Sequence, residues 1–352
     1  MKRGSFRICL LFALVLLSST AAHARIYENI VAFGDSLSDH HGLEFYIGLQ
    51  DPVVNPNGAP AVWSNGDVWV EYLADNWGAS LDNNAIGGAM TLGHENVAIQ
   101  ALSDDGTFPQ LGLVGQTTLY LSSSPEFDPE ETLFTIWIGG NDLLEFGKGE
   151  SYTIDPEVMI TDAMNNITNA VVALYSQGAT HFLMLNLPDF GKLPAYNTKS
   201  AEDIAAATGL AQAFNSALDT TIEVLKTNLE DISIDSFDAF SYLSELIETN
   251  AFANVTDTYM EVDDEGNRTG NVNGDADDYL FWDNVHPMTR AHEMFADELS
   301  EGLYPEDNDG GDSSCFINSI HGNKTSSANQ MIVLLLASML VGITSIFFKK
   351  RV

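Results

Sequence analysis

The chain has 352 residues, 45% of them hydrophobic, and sets 14 Lys and Arg against 50 Asp and Glu, for a formal charge of −36. That balance argues against nucleic acid as a partner, because phosphate recognition needs clustered basic side chains. It also disfavours adsorption to anionic lipid in the absence of an anchor. The length suits one sizeable domain with a well-solvated acidic surface.

In chain order, the first feature is a secretory leader. Lys2, Arg3 and Arg7 precede the apolar run Ile8 to Leu17, and Ala22-His23-Ala24 supplies an A-x-A cleavage site. Residues 1–24 are therefore expected to be removed and the protein exported. Cys9 lies in this leader, so Cys315 is the only cysteine left and no intramolecular disulfide can form.

Five short apolar runs predict buried parallel strands: Ile30–Phe33, Ala79–Asn83, Leu133–Ile138, His181–Asn186 and Ile232–Phe237. Helical patterns separate them at Gly66–Trp77, Pro156–Gln177, Ala201–Leu229 and Pro287–Glu301. Asp155 is placed to cap the second of these, and Gly178 follows its end. This alternation predicts a doubly wound α/β sheet, with ligands at the carboxyl ends of the strands. The stretch Asp263–Asp278 lacks the ordered spacing of a calcium loop and reads as a solvated loop.

Residues 304–330 form an acidic linker containing Gly, Ser and Cys315. Met331 to Phe348 is an apolar segment at the short end of a membrane span, and Lys349-Lys350-Arg351 at the start of the basic tail 349–352 predicts a cytoplasmic C-terminus. This order of elements resembles bacterial C-terminal sorting tails, with a sorting protease acting near Cys315. It reads equally well as a plain single-span anchor.

Chemistry is concentrated in a few blocks. Phe33-Gly34-Asp35-Ser36-Leu37-Ser38-Asp39 follows the first strand, and Asp283-Asn284-Val285-His286-Pro287 comes near the end. A serine on a strand-to-loop turn, with Asp-x-x-His far downstream, is the layout of a hydrolase nucleophile and its base. Asp35 and Asp39 are assigned turn and capping roles. Between these blocks lie Asn84-Ala85-Ile86-Gly87-Gly88-Ala89 and Trp137-Ile138-Gly139-Gly140-Asn141-Asp142. The serine sits in the first strand and lacks a Gly-x-Ser-x-Gly elbow, which separates the chain from α/β-hydrolases. His40, His41, His94, His181, His292 and His321 belong to no motif.

In this order, the blocks resemble the GDSL or SGNH hydrolases, a family of lipases and esterases, over roughly residues 28–303. The branch with phospholipases and haemolysin-like lipases is especially similar, although His40 and His41 replace the small residue and glycine common there. The resemblance implies a three-layer α/β/α, flavodoxin-like SGNH hydrolase fold with a parallel, about five-stranded sheet, spanning residues 25–303. It implies a carboxylic ester hydrolase acting through an acyl-enzyme, with Ser36 as nucleophile, His286 as base and Asp283 orienting it. The implied oxyanion donors are the N–H groups of Ser36 and Gly88 and the side-chain amide of Asn141, with Gly87 as the competitor to Gly88. No metal or organic cofactor is required. The expected substrate is a lipid or acyl ester. A carbohydrate O-acetyl ester is the alternative, and a non-catalytic binding module on a hydrolase scaffold is a reading of another class. Trp63, Trp69 and Phe108 could line an acyl site or a sugar platform, or simply belong to the core.

Overall fold

The computed structural model describes residues 27–39, 63–95, 97–104, 106, 110–151, 153–263 and 268–303. The leader, the linker, the apolar segment 331–348, Cys315 and the basic tail lie outside the described residues, as do His40, His41, Phe108 and His321. Among the described residues no helix is long and apolar enough to cross a membrane.

The core is a five-stranded parallel sheet built from β1 (Asn29–Gly34), β2 (Ser80–Asn83), β3 (Thr132–Trp137), β4 (His181–Leu185) and β5 (Ser233–Phe237), in the order β2-β1-β3-β4-β5. This is the flavodoxin-like order, whose switch point lies between β1 and β3. All six residues of β3 are buried, as a central strand covered on both faces requires.

Alternation along the strands sorts two helical layers. Phe33 and Phe134 meet Tyr120, which lies on α3 (Leu113–Ser122). On the opposite face, Trp137 packs against Trp69 of α1 (Trp69–Trp77) and stacks on Phe295 of α8 (Thr289–Leu303). The remaining helices are α2 (Val97–Asp104), α4 (Gly140–Lys148), α5 (Pro156–Tyr175), α6 (Ala201–Asn228) and α7 (Ala239–Glu248). The first layer continues through α5 and α6, and Tyr242 brings α7 against Phe295 in the second.

Local chemistry sets the element ends. Asp155 accepts the N–H of Glu157 with Pro156 in the first helical position, and Ser200 and Asp203 form a reciprocal capping box at the start of α6. Among the described residues, four helices escaped the sequence pattern: α2, α3, α4 and α7. In α3 the buried set includes Gly115, Gln116 and Thr117, so the buried face does not look apolar. The stretch read as a solvated loop instead contains the second strand of a small antiparallel pair, β7 (Met260–Val262) with β8 (Arg268–Val272). Beside it, β6 (Asn254–Thr258) pairs with β9 (Tyr279–Phe281).

Candidate active site

The site forms at the carboxyl end of β1. Gly34 ends the strand where a Cβ would lie 2.5 Å from the Trp137 carbonyl, so only glycine fits. The chain then turns sharply. Asp35 accepts the N–H of Leu37 on its side chain at 3.0 Å, while its carbonyl accepts the N–H groups of Ser38 and Asp39. This turn lifts Ser36 off the sheet.

Ser36 and His286, 250 residues apart, meet with Oγ and Nε2 at 2.8 Å. The His286 Nδ1–H reaches both carboxylate oxygens of Asp283, at 2.8 and 2.9 Å. With Nδ1 carrying the proton, Nε2 is free to accept from the serine hydroxyl. Asp283 Oδ1 also accepts the backbone N–H groups of Val285 and His286, both at 3.0 Å. The loop itself is held from outside: Trp282 N–H donates to the His286 carbonyl and Ala195 N–H to the Asn284 carbonyl. All three side chains are buried. Burial alone would push the Asp283 carboxyl up, but the charge and hydrogen bond of His286, the Val285 N–H and the nearby Arg268 outweigh it. The carboxyl is held below its usual range.

A second loop faces the serine. The Gly87 N–H donates to Asp39 at 2.6 Å, and the Gly87 carbonyl accepts from His94 Nε2 at 2.8 Å. Burial lowers the His94 pKa to about 4, so the imidazole stays neutral. Gly88 adopts φ +78°, the left-handed region, and a Cβ there would come within 2.6 Å of the His94 ring. Among the described residues the N–H groups of Ser36 and Gly88 have no hydrogen-bond partner.

Asn141 lies in the first turn of α4 rather than in a turn that merely ends β3. Its side-chain amide donates to the Ala89 carbonyl at 2.8 Å, which ties it to the glycine loop. Asp142 next to it accepts the N–H and hydroxyl of Thr91, yet burial still raises its pKa to about 6. Burial likewise raises Asp35, to about 7.

Asp35 makes the expected turn contact. Asp39 also has partners far away in the sequence. Its Oδ2 reaches across 48 residues to Gly87 and across 24 to Trp63 Nε1, at 3.3 Å. Nothing in a Ser-x-x-Asp spacing announces those partners. Trp63 is the aromatic candidate that lies at the site, its ring centre 5.2 Å from that of His286. Trp69 is core, fully buried with its indole N–H on Ser38 Oγ. Arg268 also escaped the sequence reading. It lies over the Trp63 ring, and its Nε is 3.8 Å from Asp283 Oδ2.

Comparison with known proteins adds to this geometry. The family model described as GDSL-like lipase/acylhydrolase matches residues 30–299. The chain is 27% identical over 289 residues to the thermolabile hemolysin of Vibrio parahaemolyticus, covering 78% of this chain and 63% of that protein. It is 29% identical over 205 residues to a phosphatidylcholine-sterol acyltransferase of Aeromonas hydrophila, covering 56% of each. An acetylesterase of Thermothelomyces thermophilus is 27% identical over 211 residues, covering 57% of this chain and 65% of that one. The matched stretch thus spans less than two thirds of each of these three relatives.

Proposed function

The chain belongs to the GDSL-like lipase/acylhydrolase family, and on that premise we propose that it is an exported serine esterase or lipase that hydrolyses acyl esters through Ser36. The observation that carries this reading is the 2.8 Å contact between Ser36 Oγ and His286 Nε2, with Asp283 on the far ring nitrogen. A serine hydroxyl is a weak nucleophile until a base takes its proton. Here the Ser36 proton passes to Nε2 as Oγ attacks the ester carbonyl. The ionised Asp283 holds the Nδ1–H tautomer and stabilises the imidazolium.

The carbonyl oxygen becomes an anion as the new bond forms. The N–H groups of Ser36 and Gly88 and the second amide proton of Asn141 are its proposed donors. Gly88 is preferred to Gly87 because Asp39 already takes the Gly87 N–H. The C–O bond then breaks, and the leaving alcohol takes the proton from His286. A water, deprotonated by the same imidazole, attacks the acyl-enzyme, releases the acid and restores Ser36.

The names of the first two relatives, a hemolysin and a phosphatidylcholine-sterol acyltransferase, favour lipid acyl esters as substrates. The acetylesterase relative keeps the O-acetyl ester as the second reading. Residues 25–303 are proposed as the catalytic unit, residues 1–24 as an export leader, and residues 331–348 as a surface anchor or sorting segment.

A series of p-nitrophenyl esters from acetate to palmitate tests the function. Turnover that persists with long chains supports the lipase reading, whereas a steep fall beyond acetate supports the deacetylase. Ser36→Ala is expected to abolish turnover with the fold intact. A folded wild-type protein without activity on any ester would leave only a binding role. Mass spectrometry of the mature protein reads both chain ends.

A further inference from the structure

We propose that Asp39 is a positioning residue of this esterase site, holding the glycine loop so that the Gly88 N–H, and not that of Gly87, is presented to the oxyanion. The proposal rests on the Ser36 reading above.

Asp39 is 2% exposed and lies three residues after the nucleophile. Its own N–H bonds the Asp35 carbonyl at 3.0 Å, so it is fixed to the turn that carries Ser36. One carboxylate oxygen, Oδ2, takes two N–H donors from elsewhere: Gly87 at 2.6 Å and Trp63 Nε1 at 3.3 Å. Donors converging on one buried oxygen suit a carboxylate, and such charge-assisted bonds are about twice as strong as neutral ones.

The consequence for the loop follows from an account of its peptide groups. The Gly87 N–H goes to Asp39, the Gly87 carbonyl to His94, and the Gly88 carbonyl to the N–H of Glu95 at 2.9 Å. What remains among the described residues is the N–H of Gly88, itself held at φ +78°. Trp63 closes the other side, since a Cβ on Gly87 would overlap its indole, and the same indole lies beside His286. One carboxylate therefore links the serine turn, the oxyanion loop and the aromatic wall of the base.

The test compares Asp39→Leu, similar in size without an acceptor, with Asp39→Asn, which keeps a neutral one. Both are assayed on a p-nitrophenyl ester and for inhibition by an alkyl trifluoromethyl ketone, which forms a tetrahedral oxyanion on the serine. For Asp39→Leu, kcat is expected to fall about 100-fold, the scale of one lost oxyanion donor, while KM changes less than about threefold. Ketone affinity should fall in step with kcat. Asp39→Asn should recover most of the loss but remain about three- to tenfold below wild type. A folded Asp39→Leu with kcat within about threefold of wild type overturns the proposal. If Asp39→Leu does not fold, Asp39→Asn decides alone, and an unchanged kcat overturns it. Ser36→Ala run alongside separates the two ideas. Turnover that survives Ser36→Ala sinks the nucleophile reading and this proposal with it. Turnover lost there but intact in Asp39→Leu sinks this proposal alone.

Discussion

His292 allows a quantitative test of how the second helical layer is packed. It lies on α8, 2% exposed, against an apolar cavity lined by Trp137, Leu243, Phe281 and Phe295 among others. Its ring makes no hydrogen bond among the described residues. Burial, with a further contribution from His286, lowers its pKa from 6.5 to about 3. The folded protein therefore keeps this imidazole neutral while the unfolded chain protonates it below pH ~6.5. Because the unfolded state binds more protons between pH 3 and 6.5, stability falls as pH drops through that window. From pH 7.5 to 4.5, about two pH units of the window are crossed, equivalent to roughly 2.7 kcal/mol at ~1.36 kcal/mol per unit. His292→Leu, of similar size, removes the titration. The stability of the variant relative to wild type should rise by ~2–3 kcal/mol between pH 7.5 and pH 4.5. Urea unfolding at pH 7.5, 6.0 and 4.5, followed by circular dichroism, measures this difference. Taking variant minus wild type cancels His94, which acts in the same direction, and the raised acids Asp35 and Asp142, which act in the opposite one. A difference that does not change with pH would refute the idea that the imidazole is held neutral.

Two further substitutions probe the site and its support. Asn141→Ala should lower kcat/KM on a p-nitrophenyl ester by 10²–10³-fold, about 3–4 kcal/mol, with an unchanged circular dichroism spectrum; a loss under about fivefold would remove Asn141 from the oxyanion site. Gln116→Leu should destabilise the fold by about 3 kcal/mol in urea unfolding, because its buried amide bonds the N–H and carbonyl of Gly34 and the carbonyl of Leu111 at 2.8–3.0 Å. A change under ~1 kcal/mol would mean that water replaces the amide at the end of β1.

The five strands and the longest helices were legible in the sequence because each is specified locally. Buried runs such as Leu133–Ile138 carry their own apolar signal, and Asp155 with Pro156 marks a helix start without reference to the rest of the chain. The meeting of Asp283 with His286 is local too, since three residues of loop bring the side chains together. The partners that shape the rest of the site are not encoded in any short window. Spacing reports only neighbours and so offers Asp39 a turn or capping role; its bonds to Gly87 and Trp63 exist only once those distant segments meet. His94, His286 and His292 are the same residue type with the same intrinsic basicity. The folded chain alone gives them a glycine carbonyl, a serine with a carboxylate, and an apolar cavity, and so decides which of them can move a proton. Likewise Trp63 and Trp69, six residues apart, part company because the sheet buries one and the loop geometry sets the other beside His286. Local composition determines the five sheet strands and the longest helices, because backbone propensity and solvent exclusion act over a few residues. Function depends on angstrom-scale contacts between segments tens to hundreds of residues apart, and only tertiary packing sets those distances.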